Sequence, residues 1–273
     1  MNESTPSLLN KAVHRIIRNI HSITPHNITI GNISFNINYV EYGSTLDKSV
    51  HKYGNYEPWL GMKIIETLNK DDIVCDIGAH HGYYSMLLNG IVSSPRNIYS
   101  FEPDTANTKL LRKNISNTTV IEKCVSDVDD DNNVSLDVFF EKNPGYKKPT
   151  ALKIDVDGAE IKLIKGAVKL IEENRPKIFM EVHPIQIEKY EEKGIETMFD
   201  ILFSHYRVMF MLNHWGKVKG YDEWEGKSTH EWEEADRDRL VRYCHDIIDD
   251  NINRRAAIYN NKIMPRGFAI YCS

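Results

Sequence analysis

The sequence predicts an α/β protein: a mostly parallel, Rossmann-like sheet with helices on both faces. Three observations carry that expectation. First, short apolar runs that suit buried strands alternate with amphipathic stretches of helical period from residue 72 onward. Second, the apolar run Ile73-Val74-Cys75 ends in Asp76 and is followed by Gly78, Gly82 and the apolar stretch 83–88, which reads as strand, tight turn and helix start. Third, the next apolar run, 97–101, ends in a second acid, Glu102. That is about the ~20-residue separation at which an acid reaches ribose hydroxyls in such folds.

The elements follow in order. Leu8, Leu9, Ala12, Val13, Ile16, Ile17 and Ile20 recur at helical spacing, with Lys11, Arg15 and Arg18 opposite. This is a basic amphipathic helix, whose wide stripe favours packing on its own domain or on a second copy in a homodimer over lying on an acidic membrane. Residues 27–39 alternate around Gly31-Asn32 and predict a hairpin. Residues 44–58 read as a loop and 59–68 as a helix. Strands are then expected at 73–75, 98–101, 119–125, 134–140, 151–154 and 177–182, and helices from 83, over 107–114 and over 159–174. A helix over 188–202, a strand over 206–212, a Trp/Gly/Lys loop over 214–227, a charged helix over 232–249 and a strand over 267–272 complete the chain. The expected organisation is an N-terminal extension, 1–70, packed on a Rossmann-like domain, 71–273, with a helical insertion at about 214–262.

Bulk properties exclude several classes. A net charge of -5 with 27% charged residues leaves no general basic footprint for nucleic acid. Cys75, Cys124, Cys244 and Cys272 stand far apart without a C-x-x-C pair, so neither a zinc site nor a disulfide framework is expected, and a reducing, cytoplasmic setting is. No apolar run approaches the ~20 residues of a transmembrane segment.

The chemistry gathers around the glycine turn. Acids on two adjacent strand ends flanking a glycine loop imply a nucleoside-bearing ligand. The dinucleotide pattern G-x-G-x-x-G fails, because His80 stands where its middle glycine belongs, and Asp76 would lie close to a pyrophosphate. S-adenosylmethionine, with a sulfonium, an α-amino group and no phosphate, fits the acids better. The expected cofactor contacts are Asp76, Gly78, Ala79, His80, Gly82 and Tyr83 along the loop, Glu102 on the ribose, and Ser126 and Asp127 near the adenine. A second constellation, Lys153-Ile154-Asp155-Val156-Asp157-Gly158-Ala159-Glu160, ends the fourth strand, and Glu181 and His183 end the fifth. Both sit where open α/β sheets bind ligands.

The stretch 56–183, roughly half of the chain, resembles the FkbM family of S-adenosylmethionine-dependent methyltransferases. The matching pieces are Asp76-Ile77-Gly78-Ala79, Gly82-Tyr83-Tyr84, Phe101-Glu102-Pro103, Val125-Ser126-Asp127, the block 152–160 and Glu181-Val182-His183. His80-His81 replaces the usual Asn-plus-apolar pair, and Asp157 the usual Glu. The resemblance implies the class I methyltransferase fold, with the fourth strand beside the first and a last antiparallel strand. It also implies O-methylation of a hydroxyl on a sugar, glycan or other small metabolite.

In-line methyl transfer needs an aligned acceptor and a base for its proton. Asp155 and His183 are expected to fill those roles, with Asp157, Glu160 and Glu181 supporting the acceptor. The alternative is that Asp155 holds only the cofactor's amino group. No resident metal is expected, although Asp155, Asp157 and Glu160 have the chemistry to hold a hard cation. Competing readings are a nicotinamide-dependent oxidoreductase, disfavoured by the missing glycine, and a non-catalytic adenosine-ligand binder. A nucleic-acid base methyltransferase is disfavoured because no Pro-Pro-aromatic motif follows the fourth strand.

Overall fold

A computed structural model describes residues 25–41, 43–211, 232–255 and 268–273. The helix expected over 8–20, the loop over 214–227 and much of the insertion lie outside the described residues. β1 (His26–Ile30) and β2 (Ile33–Ile37) form the expected hairpin, with Ile30 opposite Ile33 across Gly31-Asn32. Residues 44–58 are not all loop: α1 (Thr45–Tyr53) forms there, capped by the Ser44 side chain, which accepts from the Asp47 N–H. Its apolar face is only Leu46 and Val50, a one-turn pair easily hidden among His, Lys and Tyr. α2 (Pro58–Thr67) follows.

The core alternates as expected through β3 (Val74–Ile77), α3 (Tyr83–Asn89), β4 (Ile98–Phe101), α4 (Thr105–Asn114) and β5 (Thr119–Ile121). The strand expected over 119–125 breaks after Ile121. β6 (Cys124–Val125) pairs instead with β7 (Asn133–Val134) in a separate small sheet. The strand expected over 134–140 is mostly α5 (Leu136–Lys142). Leu136, Phe139 and Phe140 are its buried face, and their i, i+3, i+4 spacing is helical although it also reads as broken alternation.

β8 (Ala151–Ile154) leads into α6 (Glu160–Lys165) and α7 (Val168–Asn174), two helices where one was expected. β9 (Lys177–Val182) is followed by α8 (Pro184–Tyr190) and α9 (Gly194–His205), again two where one was expected. β10 (Val208–Met211), a two-residue β11 (Glu233–Glu234), α10 (Arg237–Arg255) and β12 (Phe268–Cys272) close the described chain. Among the described residues no helix is long and apolar enough to cross a membrane.

The main sheet runs β11-β10-β12-β9-β8-β3-β4-β5. β5, β4, β3, β8 and β9 pair in parallel, and β12 enters antiparallel between β9 and β10. β8 therefore lies beside β3, and the last strand runs antiparallel to its neighbours, as the resemblance implies. Side chains alternate between the two faces of a strand. Cys75, Ile77, Leu152, Ile154, Ile178 and Met180 pack into the larger apolar layer. Val74, Ile98, Ala151 and Phe179 face the layer built with the hairpin, α2 and α3. On this second face, towards the strand ends, the register sets Asp76 opposite both Ser100 and Lys153. The next residues of that parity on β8 and β9 are Asp155 and Glu181. A polar column thus climbs one face of the sheet and emerges at its C-terminal edge.

Candidate active site

A cleft of about 560 Å³ opens at that edge, within the usual range for small-molecule sites and at the place where open α/β sheets bind ligands. One wall is backbone. Gly78 has φ +78°, and a Cβ built on it would stand 1.8 Å from the Asp155 carbonyl oxygen. The loop therefore passes against the end of β8 with no room for a side chain. The N–H groups of Gly78 and Ala79 both donate to the Phe101 carbonyl at 3.0 Å, and the His80 N–H donates to Glu102 Oε2 at 2.9 Å. The loop thus offers its surface, with these donors already engaged. His80 itself has φ +50°, a conformation that Asn, Asp and His tolerate better than other side chains. Replacement of the usual Asn by His therefore keeps the turn. Burial lowers the pKa of both imidazoles, that of His81 to about 3.

Glu102 lines the cleft and is nearly buried. Besides holding His80, it accepts at Oε1 from the Asp104 N–H (3.0 Å) and Asn107 Nδ2 (3.2 Å). A carboxylate offers about four acceptor positions. Three are engaged, so one position on Oε2 remains for a ligand hydroxyl, fewer than a bidentate ribose grip needs. Ala79 and Tyr83 also line the cleft, and the Tyr83 hydroxyl donates to the Tyr56 carbonyl at 2.5 Å.

Four of the expected cofactor contacts, Asp76, Gly82, Ser126 and Asp127, do not line the cleft, and Gly82 packs against Leu111 instead. Asp76 is fully buried beneath the loop, accepting from Ser85 Oγ at 2.6 Å with Lys153 Nζ 3.9 Å away. It braces the turn from below, inside β3 and bonded to Ser85 of α3. Ser126 and Asp127 do not line the cleft, since the chain turns away after β6. Lys123, Cys124 and Val125, immediately before them, do line it.

The opposite wall is made of charged side chains. Lys153, at 2% exposure, lies 3.4 Å from Asp155 Oδ2 and sits over the Tyr84 ring at 4.3 Å. Burial works to lower its pKa, but the carboxylates of Asp155, Asp76, Glu57 and Glu181 outweigh it, so the ammonium is held firmly charged. Asp155 keeps 22% of its side chain accessible. Burial raises its pKa, against Lys153, and Glu181 adds to the rise. His183 lies just beyond β9. Its Nδ1 meets Glu160 Oε1 at 2.6 Å, while Nε2 faces Glu181 Oε1 at 3.3 Å and Asp157 Oδ1 at 3.6 Å. Burial works against the imidazolium, but the bonds to Glu160 and Glu181 prevail and lift its pKa well above the ordinary value.

The structure thus brings Asp155, Glu181 and His183 together at the cleft. Glu160 is fully buried behind His183 and does not line the cleft, so its expected acceptor contact is replaced by a grip on the imidazole. Asp157, with φ +48° and a side chain 90% exposed, stands at the rim. Asp155, Glu181 and His183 each offer a ligand atom within 4.8 Å of the others. This set differs from the Asp155, Asp157 and Glu160 weighed from the sequence, and Lys153 already supplies it with positive charge.

Sequence reasoning missed Lys153, Tyr56 and the Tyr84–Glu57 pair. Tyr84 donates to Glu57 Oε2 at 2.6 Å, both residues being buried. The available signal was a lysine at the centre of the apolar run 151–154, an expensive place for a charge without partners.

Residues 125–219 match the profile of the methyltransferase FkbM domain, about one third of the chain and mostly its charged-wall half. No curated protein sequence matches the chain. Among solved structures, the chain is similar to the methyltransferase FkbM from Methylobacillus flagellatus KT, at 19% identity and a TM-score of 0.41, over 52% of this chain and 40% of that one. It thus spans less than half the length of that protein. It is also similar to a precorrin-6y C5,15-methyltransferase from Geobacter metallireducens GS-15, at 12% identity and a TM-score of 0.41, over 80% of this chain and 86% of that one. The O-methyltransferase from Bacillus cereus, solved with SAH, gives 14% identity and a TM-score of 0.40 over 77% and 85%. Residues 125–219 are thus similar to the methyltransferase FkbM domain.

Proposed function

We propose that the protein is an S-adenosylmethionine-dependent methyltransferase acting on a hydroxyl oxygen of a sugar, glycan or other small metabolite. The observation that carries this reading is the close contact of Gly78 with the end of β8. It sets a side-chain-free cradle, closed by Glu102, directly beside a cluster of Asp155, Glu181 and His183. When bound, S-adenosylmethionine supplies the activated methyl group. Gly78, Ala79, His80 and Tyr83 line its place, and Glu102 accepts from the ribose with its remaining position.

The other wall handles the acceptor's proton. Asp155 is accessible and carries a raised pKa, which makes it a stronger base than an ordinary carboxylate. His183, held as imidazolium by Glu160 and Glu181, orients the acceptor oxygen and balances charge once Asp155 has taken the proton. This divides the roles of the expected pair. The extension contributes as well: Ser44, Thr45 and Leu46 at the start of α1 line the cleft and are placed to select the acceptor. The four free thiols suit a reducing, cytoplasmic setting.

The test is transfer of isotopic label from S-adenosylmethionine into a pool of metabolites and glycans, read by mass spectrometry. Asp155→Asn and His183→Ala should each lower turnover by roughly 10²–10⁴-fold with cofactor affinity nearly intact. Loss of cofactor binding in Asp155→Asn would make Asp155 a cofactor ligand. Tight cofactor binding without transfer to any acceptor would favour the non-catalytic binder.

A further inference from the structure

One carboxylate outside the charged wall has an unusual setting. Asp47, in the first turn of α1, is only 5% exposed. Its Oδ2 accepts from the Gly43 N–H at 2.8 Å, but its Oδ1 is buried and receives no hydrogen bond. A charged group left so is costly. Two imidazole nitrogens converge on that oxygen: His26 Nε2, from β1, at 3.7 Å, and His51 Nδ1, one turn further along α1, at 3.6 Å. Both separations exceed hydrogen-bond length. The two rings meet edge to face with centroids 4.9 Å apart, and the three ligand atoms lie within 4.8 Å of one another.

That spacing is close to the edge of a coordination tetrahedron. Metal–ligand bonds of ~2.0–2.1 Å place neighbouring donors about 3.3 Å apart, so a shift of a few tenths of an ångström would bring each imidazole nitrogen to that distance from Asp47 Oδ1. Two imidazoles with one carboxylate select a zinc-class ion over magnesium or calcium, which prefer oxygen. The His51 side chain is 48% exposed, which leaves one side open for water as a fourth ligand.

We propose that His26, Asp47 and His51 bind a zinc-class divalent transition-metal ion that pins α1 to the hairpin. The residues just before Asp47, Ser44 to Leu46, line the cleft, so the ion fixes the position of one cleft wall from outside. The inference does not depend on the methyl-transfer reading.

The test uses the full chain stripped with a chelator and titrated with Zn²⁺ alone, followed by calorimetry and thermal unfolding. Expected are one zinc per chain attributable to this cluster and a raised Tm. His51→Ala, at a half-exposed helix position that should leave the fold intact, should weaken that binding about 100-fold or more and abolish the Tm rise. His183→Ala, which breaks the other imidazole–carboxylate cluster, should leave it unchanged. Absence of zinc binding by the intact chain, equal binding by His51→Ala, or loss only in His183→Ala would each overturn the proposal.

Discussion

On one side of the cleft, Gly78, Ala79 and His80 present backbone whose N–H groups are bonded to Phe101 and Glu102. On the other, Lys153, Asp155, Glu181 and His183 present side chains whose charges balance one another. The first wall is fixed by shape: its tolerance is set by the space between two stretches of main chain. The second is fixed by charge: its members are buried at a cost that only their partners offset. One wall should therefore fail through added atoms and the other through removed charges, and each substitution below tests that division.

The largest effect is expected where shape is tightest. Gly78→Ala places a methyl group 1.8 Å from the Asp155 carbonyl oxygen and adds left-handed backbone strain. Strain alone costs ~1–2 kcal/mol. The clash is with main chain, so β8 or the loop must move, and the total should exceed ~4 kcal/mol or prevent folding. Gly43→Ala is the control: φ is again +78°, but nothing lies within 4 Å of the new Cβ. It should cost only the strain. Equal losses in denaturant unfolding would show that backbone conformation, and not the close approach, sets the constraint at Gly78.

Lys153→Met tests the other wall. Removing the buried cation strands Asp76 and Asp155, which should cost ~3–5 kcal/mol despite the good fit of Met. Adding Asp155→Asn should recover part of that loss, because neighbours in one charge network do not add. Strictly additive losses in the double variant would mean that Lys153 is held by its packing over Tyr84 and not by its charge.

The two walls also differ in how much of them could be read from the sequence. The glycine turn, Glu102 and the strand–helix alternation are local patterns, and the structure places them as expected. Asp76 reads as the end of the first strand, but that strand runs on through Ile77, and the burial of Asp76 beneath the loop involves Ser85, nine residues on. The role of Glu160 depends on His183, 23 residues away on another element. Lys153 stands out in the sequence only as a lysine within an apolar run, and its second carboxylate partner, Asp76, comes from β3, which only the pairing of β3 with β8 brings alongside. The helices α1 and α5 escaped for a different reason: each buries so few apolar residues that periodicity in the sequence alone is ambiguous.

Glu102→Ala probes the seam between the walls, where a side chain holds the backbone turn. It should weaken binding of S-adenosylmethionine by about 1.5–3 kcal/mol, the scale of hydrogen bonds to a charged group. Glu102→Gln should lose less, since its amide keeps an oxygen for the His80 N–H or for the ligand. If calorimetry finds the two variants equally impaired, the carboxylate charge matters more than the acceptor positions counted above.

The smallest expected effect is the most specific to the charged wall, and it depends on pH. His183 faces Glu160 from α6, Glu181 from β9 and Asp157 from the turn between β8 and α6, with Asp155 close by. Its folded pKa stands well above the ordinary ~6.5 of an unfolded histidine, because the bonds to Glu160 and Glu181 outweigh burial. A group raised in this way stabilises the fold fully below its unfolded pKa, and the contribution disappears as pH rises through the folded pKa. The stability gap between the protein and His183→Gln should therefore be widest near pH 6 to 6.5 and narrow on going to alkaline pH. At the acid end it should shrink again, as Glu160, whose own pKa burial raises, takes up a proton and ceases to be a partner. The groups titrate as a set, so the two limbs belong to the cluster and not to single residues. Thermal unfolding of both proteins across pH 4 to 9 reads the gap directly, on the order of a few degrees in Tm at its maximum. A flat gap would mean that His183 is held by packing alone. A gap that instead widens from about pH 5 to pH 7 and is level above would mean that the imidazole is neutral in the fold and that the charged wall carries its positive charge on Lys153 only.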